Sequence, residues 1–248
     1  MRDYSYQLYS SRNFGPLPET LRLVAGLGYT QVEGFGGLYP DVDAAAKLEA
    51  ELAATGLKMP TGHFGFDMVS ETPDLAIEIA GILDVEAIIV PFLPPEARPS
   101  DWAAFGKQLA EAGKPIRDAG LAFGWHNHDF EFAPTASGEL PLDQLLAGGE
   151  EIGLELDLGW VARAGHAPAD WATKYADRIL AVHLKDVAPD GDCLDEGGWA
   201  DLGHGVIDWA PVIAAVDASA ARFRIMEHDN PSDDARFARR SIATAQAF

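Results

Sequence analysis

The sequence predicts an α/β protein folded as a single (β/α)8 TIM barrel, one domain over residues 1–248. Three observations carry this reading. Strand-like and helix-like stretches alternate along the whole chain, which implies a parallel sheet. Eight such units spread over 248 residues match the size of such a barrel. Carboxylate and imidazole side chains stand where four of the strands should end, and a barrel of parallel strands keeps its chemistry at that end. A doubly wound open sheet is the competing arrangement, but no G-x-G-x-x-G turn follows the first strand.

The elements follow in order. Tyr4 to Tyr9 alternates aromatics and reads as a strand; Leu17 to Leu27 is helical and stops at Gly28. Gln31 to Phe35 is the second strand, and the Ala- and Glu-rich stretch Val42 to Thr55 is a helix ending before Gly56. Lys58 to Phe64 is the third strand. Pro73 opens a helix at its first turn, where proline is tolerated, with Thr72 as its N-cap. The β-branched run Glu86 to Pro91 is the fourth strand. Ser100 precedes a helix running to about Ala119, with Gly120 as its stop. The second half repeats the plan. Leu121 to His126, Ile152 to Asp157, Ile179 to Leu184 and Phe223 to Glu227 are strands five to eight. Pro141 to Ala147, Pro168 to Tyr175, Ile207 to Val216 and Ser232 to Ala247 are helical. No Gly- or Ser-rich linker divides the chain.

Composition bounds the partners. Asp and Glu total 39 against 18 Lys and Arg, a formal net charge of −21. Nucleic-acid affinity comes from neutralising phosphates with Lys and Arg, and the one basic cluster is Arg236, Arg239 and Arg240. The chain is therefore expected to bind no nucleic acid, and its acidity reads as solubility. The single cysteine, Cys193, leaves no disulfide framework and no thiolate zinc cluster. No secretory leader and no membrane-length apolar run is visible, so a cytoplasmic location without membrane contact is expected. A homo-oligomer is compatible with the sequence.

Four segments pair a strand-like run with metal-binding residues: Trp125 to Phe132 (W-H-N-H-D-F-E-F), Leu154 to Trp160, Ala181 to Asp186 and Arg224 to Asn230. Asp157, His183 and Glu227 each stand where a strand ends. Taken singly, each acid is most simply a helix cap or a salt-bridge partner. Equivalent placement on three consecutive strands favours a shared ligand. The fifth strand tip holds His126, Asn127, His128, Asp129 and Glu131, and alternation points both imidazoles to one face. Carboxylates with an imidazole suit Mn2+, Mg2+ or Co2+, and Zn2+ is also compatible. Lys185 follows His183 by two, so it faces the same way, as an oxyanion stabiliser or as a salt-bridge partner of Asp157 or Asp186. Glu33 and His63 end the second and third strands. Trp160, Trp199 and Phe64 offer an apolar wall for a sugar ring, and the glycines at 197, 198, 203 and 205 read as a loop over the mouth.

These motifs together resemble the xylose isomerase-like barrel superfamily, the sugar phosphate isomerase/epimerase group. The likeness covers nearly the whole chain. It runs from Y-Q-L-Y-S-S-R (Tyr6 to Arg12) and G-Y-T-Q-V-E (Gly28 to Glu33), through H-N-H-D-F-E-F and D-L-G-W-V-A-R-A-G from Asp157, to H-L-K-D from His183 and L-G-H-G-V-I-D-W (Leu202 to Trp209). The resemblance implies one divalent metal held by two glutamates, an aspartate and a histidine. Asp157, His183 and Glu227 fall on three of those places. In the ketose epimerase branch a glutamate ends strand five; here His126 stands there, and Glu131 is taken as the fourth ligand. Trp160 stands where that branch has a substrate-contacting histidine.

The expected activity is a metal-dependent isomerase or epimerase of a ketose or keto-sugar, acting through an enediolate with Mn2+ as the first choice of ion. Glu227, Glu131 and His128 are the candidates to move the proton, with Lys185 beside the oxyanion. Glu33, His63, His126 and Trp160 are expected to bind the substrate, a small sugar or polyol. Loss of a hydroxyl from the same intermediate would make the chain a keto-sugar or keto-inositol dehydratase or lyase instead. A non-catalytic sugar-binding barrel is the third reading. An endonuclease of the same superfamily needs more histidines and a basic surface.

Overall fold

The computed structural model describes residues 2–248. Ten strands are present: β1 (Ser5–Gln7), β2 (Gln31–Phe35), β3 (Lys58–His63), β4 (Ala87–Val90), β5 (Ala122–His126), β6 (Gly153–Asp157), β7 (Ile179–Leu184), β8 (Asp186–Val187), β9 (Trp199–Ala200) and β10 (Phe223–Met226). Strands β1 to β7 and β10 pair in parallel and close into a barrel in the order β1-β10-β7-β6-β5-β4-β3-β2. The eight expected strands are all there, and the closed barrel is the predicted fold. The pair β8–β9 is a separate antiparallel ribbon over one side of the mouth.

The helices are α1 (Leu17–Leu27), α2 (Val42–Thr55), α3 (Phe66–Glu71), α4 (Pro73–Leu83), α5 (Trp102–Ala112), α6 (Lys114–Asp118), α7 (Pro141–Gly148), α8 (Leu158–Arg163), α9 (Pro168–Lys174), α10 (Trp209–Asp217) and α11 (Asp234–Ala245). Their boundaries follow local chemistry. Asp41, Asp101, Asp157, Asp208 and Asp233 each accept a first-turn amide of the helix they precede, which supplies partners to otherwise orphaned N–H groups. Gly28 and Gly56 end α1 and α2 at φ of 99° and 72°, a conformation that disfavours any side chain with a Cβ.

Several boundaries differ from the sequence reading. The first strand stops at Gln7 and turns into a 3-10 segment, Leu8–Ser11. The helix expected from Ser100 to Ala119 breaks at Gly113, where Pro115 sits in the first turn of α6. Thr72 precedes α4 as expected but makes no cap bond, because its hydroxyl donates to the carbonyl of Met68 in the preceding helix, α3. On the outer ring α5 and α7 meet through Gly106 and Gly148. A Cβ at Gly106 would fall inside contact distance of the Leu145 carbonyl oxygen.

Alternation along the strands divides the barrel interior into two zones. Ala181, Phe223 and Ile225 form a small apolar plug low in the barrel, separate from the main core between sheet and helices. Above them the inward positions turn polar: Gln7, Glu33, Thr61, Glu155, Asp157 and His183 are all buried. The register places Asp157 beside His183, His183 beside Ile225, and Gln7 beside Glu33. The fold thus gathers charged side chains at one end of the barrel. The basic cluster of the last helix is consumed elsewhere, since Arg236 pairs with Glu196 and Asp201, and Arg240 with Asp201. No helix among the described residues is long and apolar enough to cross a membrane.

Candidate metal centre at the barrel mouth

Five strands deliver the polar set. Glu33 comes from β2, His63 from β3, His126 from β5, Glu155 and Asp157 from β6, and His183 from β7. Lys185 follows β7, and Glu227 and Asp229 follow β10. Two overlapping groups of potential ligands form, with donor atoms within 4.8 Å of one another: His63, His126, Glu155 and His183, and above them Asp157, His183 and Glu227. This buried His/Glu/Asp cluster has the composition and spacing to bind a metal ion.

The lower group is tied together by hydrogen bonds. Glu155 Oε2 lies 2.6 Å from His63 Nε2 and 3.1 Å from His126 Nδ1. Glu33 Oε1 accepts Gln7 Nε2 at 2.7 Å and pairs with His183 Nε2 at 2.8 Å. In the upper group Asp157 Oδ2, His183 Nδ1 and Glu227 Oε2 are buried and have no hydrogen-bond partner. Buried polar atoms left unpaired are costly, and three of them facing one point fit a bound cation. Asp157 uses its other oxygen, Oδ1, to accept the amide of Trp160 at 2.8 Å. Lys185 is buried beneath Trp199, its ammonium 3.9 Å from that ring. It donates to Asp229 at 2.7 Å and lies 2.8 Å from Glu227 Oε2 at an angle that makes no hydrogen bond.

The charges divide accordingly. Burial alone would raise Asp157, but the Lys185 charge and the nearby imidazoles of His183 and His126 outweigh it and hold the carboxyl at about 2. Burial also favours neutral His183, yet Glu155 and Glu33 overcome it and hold the imidazole well above its usual range. Burial pushes Glu227 up to about 8 and His126 down to about 4. His128 is held well below its ordinary value by burial, then by His126 and Lys185, so its ring is neutral. Lys185 is raised despite burial, by Asp229 and Glu227.

A cavity of about 450 Å3 opens over these groups, lined among others by Tyr9, Phe92, His126, His128, Trp160, His183 and Glu227. The His128 ring is stacked on Phe130 at 5.8 Å and meets Trp160 at 5.3 Å. A larger hollow of about 660 Å3, lined in part by Glu86, Arg117, Arg178 and Arg222, lies around the N-terminal ends of the strands. It contains none of the candidate ligands, and barrels of this type carry their chemistry at the other end.

Most of the sequence-predicted residues meet here: Asp157, His183, Glu227, His63, His126, His128 and Trp160 lie in the clusters or around the cavity, and Glu33 and Lys185 adjoin them through His183 and Glu227. Glu131 does not join them. The chain leaves β5 and turns through Phe130–Phe132, and the buried Glu131 carboxylate accepts Trp125 Nε1 at 3.1 Å and the His128 amide at 2.8 Å. Burial pushes it up to about 8. It braces the strand-five loop and lies in neither group of potential ligands. Lys185 pairs with Asp229 and Glu227, while Asp186 receives five N–H groups, from Val187, Gly203, Gly205, Ile207 and the Trp209 indole. Phe64 is wholly buried against Tyr39 and belongs to the core, away from the cavity wall. Glu155 and Asp229 were not anticipated. Glu155 lies two residues before Asp157, so strand alternation already points both carboxylates inward.

Comparison with known proteins agrees with this architecture. The family model described as xylose isomerase-like TIM barrel matches residues 21–246. The chain belongs to this family. Among curated relatives, the rhizopine catabolism protein MocC of Rhizobium meliloti is 27% identical over 209 residues, 75% of this chain and 62% of that protein. An inosose dehydratase of Clostridium beijerinckii is 27% identical over 171 residues, 60% of this chain and 56% of that protein. The match thus spans about three-fifths of the length of these relatives. A sugar phosphate isomerase/epimerase from Parabacteroides distasonis superposes with a TM-score of 0.82 at 20% identity, over 99% of this chain and 94% of that one, a likeness of fold.

Proposed function

We propose that this chain is a divalent-metal-dependent dehydratase of a small, uncharged keto-polyol, with Asp157, His183 and Glu227 holding the ion. The observation that carries the reading is the convergence on one point below the cavity of three buried donor atoms that make no hydrogen bond. An ion held there would supply Lewis acidity to a substrate carbonyl and its neighbouring hydroxyl. The chain's own residues supply the proton transfer. His128 lines the cavity, its ring is neutral, and its Nδ1 has no partner. It is placed to take the proton from the carbon beside the carbonyl. The imidazolium so formed returns that proton to the hydroxyl on the next carbon, which leaves as water.

The substrate class follows from the lining. No Lys or Arg is among the residues lining the cavity, and the nearby Lys185 is already matched by Asp157, Glu227 and Asp229. A phosphate ester would meet net negative charge. Trp160 and Phe92 offer apolar faces to a polyol ring. Dehydration is preferred to isomerisation because the relatives that share sequence with this chain include inosose dehydratases. Isomerisation or epimerisation is the second reading. Glu227 lines the same cavity as His128, and two proton-handling groups allow the proton to return to carbon.

The deciding experiment incubates the metal-loaded protein with keto-inositols, ketoses and 3-keto-sugars, followed by mass spectrometry and NMR in D2O. Loss of one water from a ketone substrate is expected, and His128→Asn should lose turnover while keeping the ion. Interconversion without water loss would install the isomerase reading. No turnover across the panel at full metal occupancy would leave a sugar-binding barrel.

A further inference from the structure

The lower group of side chains has a hydrogen-bond count that closes in only one economical way. Glu155 Oε2 has His63 Nε2 at 2.6 Å and His126 Nδ1 at 3.1 Å. Glu33 Oε1 has Gln7 Nε2 at 2.7 Å and His183 Nε2 at 2.8 Å. A carboxylate oxygen has two lone pairs and accepts only. Each of the two oxygens is filled by its two nearest donors. The remaining contacts, His63 Nε2 to Glu33 at 3.2 Å and His183 Nε2 to Glu155 at 3.3 Å, are the longer ones. The proton of His126 therefore sits on Nδ1, and a proton of His183 sits on Nε2. The opposite nitrogen of each ring is left to a cation, which at His183 takes the place of the second proton that the neighbouring carboxylates otherwise hold there.

Those opposite nitrogens both face Asp157. His183 Nδ1 is 3.6 Å from Asp157 Oδ2, and His126 Nε2 is 3.9 Å from the same oxygen. Ligand atoms around a tetrahedral ion with bonds near 2.1 Å stand roughly 3.4 Å apart; both spacings approach that value, and His126, which groups within 4.8 Å only with His63, Glu155 and His183, has to close on Glu227 to complete the set. The 2.6 Å between His63 Nε2 and Glu155 Oε2 is instead a hydrogen-bond length. That places an ion in the upper group, above the carboxylate pair.

We propose that Glu33 and Glu155 lock the tautomers of His183 and His126, so that His126 Nε2 is the β5 ligand of a two-imidazole, two-carboxylate centre that takes Zn2+ ahead of Mn2+ and Mg2+. The proposal rests on the reading of Asp157, His183 and Glu227 as ligands. It gives the buried carboxylates a positioning role, since a ligating histidine is oriented by whatever its other nitrogen donates to. A second nitrogen donor moves the site away from the oxygen-only preference of Mg2+ and Mn2+ and along the order that favours Zn2+.

The test is made on Zn2+ binding and on the histidine nitrogens, independently of turnover. Long-range proton–nitrogen NMR on Zn2+-loaded wild-type protein with labelled histidines should show metal on His126 Nε2 and His183 Nδ1, with protons on His126 Nδ1 and His183 Nε2. His126→Asn keeps an N–H for Glu155 but has no second nitrogen; its Zn2+ affinity should fall about 100-fold and its Mn2+ affinity about tenfold. Glu155→Gln, which touches no ion, should weaken Zn2+ binding by about 10–100-fold, the range for an outer partner of a ligand. Metal on His126 Nδ1 and His183 Nε2 would put the ion in the lower group and overturn the proposal. So would an unmetallated His126, or Zn2+ affinity within about threefold of wild type in His126→Asn. Asp157→Asn separates the two levels. If it loses Zn2+ while His126→Asn does not, only the tautomer proposal fails; if it keeps Zn2+ at full occupancy, the ligand reading itself fails.

Discussion

Asp186→Asn is expected to destabilise the fold and free the mouth loop. The Asp186 carboxylate is fully buried. Its Oδ1 accepts the amides of Val187 at 2.9 Å and Ile207 at 3.2 Å; its Oδ2 accepts Gly203 at 2.9 Å, Gly205 at 3.1 Å and the Trp209 indole at 2.9 Å. These bonds tie the strand after β7 to the 203–207 loop and to the first turn of α10. Asparagine has the same shape but one accepting oxygen. If that oxygen takes the place of Oδ2, its amide faces the N–H groups of Val187 and Ile207, donor against donor. Two orphaned buried donors cost about 1–3 kcal/mol each. Lost charge strengthens the effect and relaxation reduces it, so a net loss of about 3–5 kcal/mol is expected. That is a large share of an ordinary domain's ~5–15 kcal/mol. Urea denaturation monitored by circular dichroism reads the change, and hydrogen exchange at Gly203, Gly205 and Ile207 reads its location. A variant within about 1 kcal/mol of wild type, with those amides still protected, would refute the assignment of Asp186 as the anchor.

Three further outcomes follow from single side chains. Glu131 titrates at about 8 in the folded protein against 4.5 ordinarily, so its stabilising effect is complete below pH 4.5 and is lost as pH rises through 8. Stability should fall by up to about 1.4 kcal/mol per pH unit in that window, and Glu131→Gln should flatten the slope; an unchanged slope in pH-dependent denaturation argues against it. Gly106→Ala forces α5 and α7 apart at the Leu145 carbonyl and should cost about 1–3 kcal/mol, whereas a neutral melting temperature would mean the helix contact yields freely. Saturating Zn2+ should raise the melting temperature of wild type, since an ion bound only by the folded state stabilises it; the same rise in Asp157→Asn would mean that the ion sits elsewhere.

Much of the fold was legible because the barrel strands are short runs, several of them apolar with a charged tip, and the period of two carries over to a closed sheet. Asp157, His183 and Glu227 were found for that reason. The sequence reading failed where the chain leaves the strand. Glu131 has the right chemistry for a ligand, but the turn at Phe130–Phe132 rotates it back under the loop, and spacing along a strand says nothing about a 3-10 turn. Glu155 was legible and missed. A carboxylate inside L-E-L-D-L, two residues before Asp157, points with it into the barrel interior. Asp229 lies beyond the strand end, so only the three-dimensional position of Lys185 reveals its role. The break at Gly113 was hidden because an Ala- and Glu-rich helix pattern continues across it; Pro115 was the available signal.

Asp157 divides its two oxygens between different tasks. One caps α8 through the Trp160 amide, and the other faces the candidate ion. Trp160 in turn forms part of the cavity wall and packs at 4.6 Å from Trp199. An ion on the free oxygen would therefore be joined to the Trp160 backbone through a single carboxylate. A pull on that oxygen would reach the helix start, next to the wall a substrate would touch. The coupling also gives the molecule its own optical gauge: Trp160 emission should track occupancy of the centre directly, without an added label.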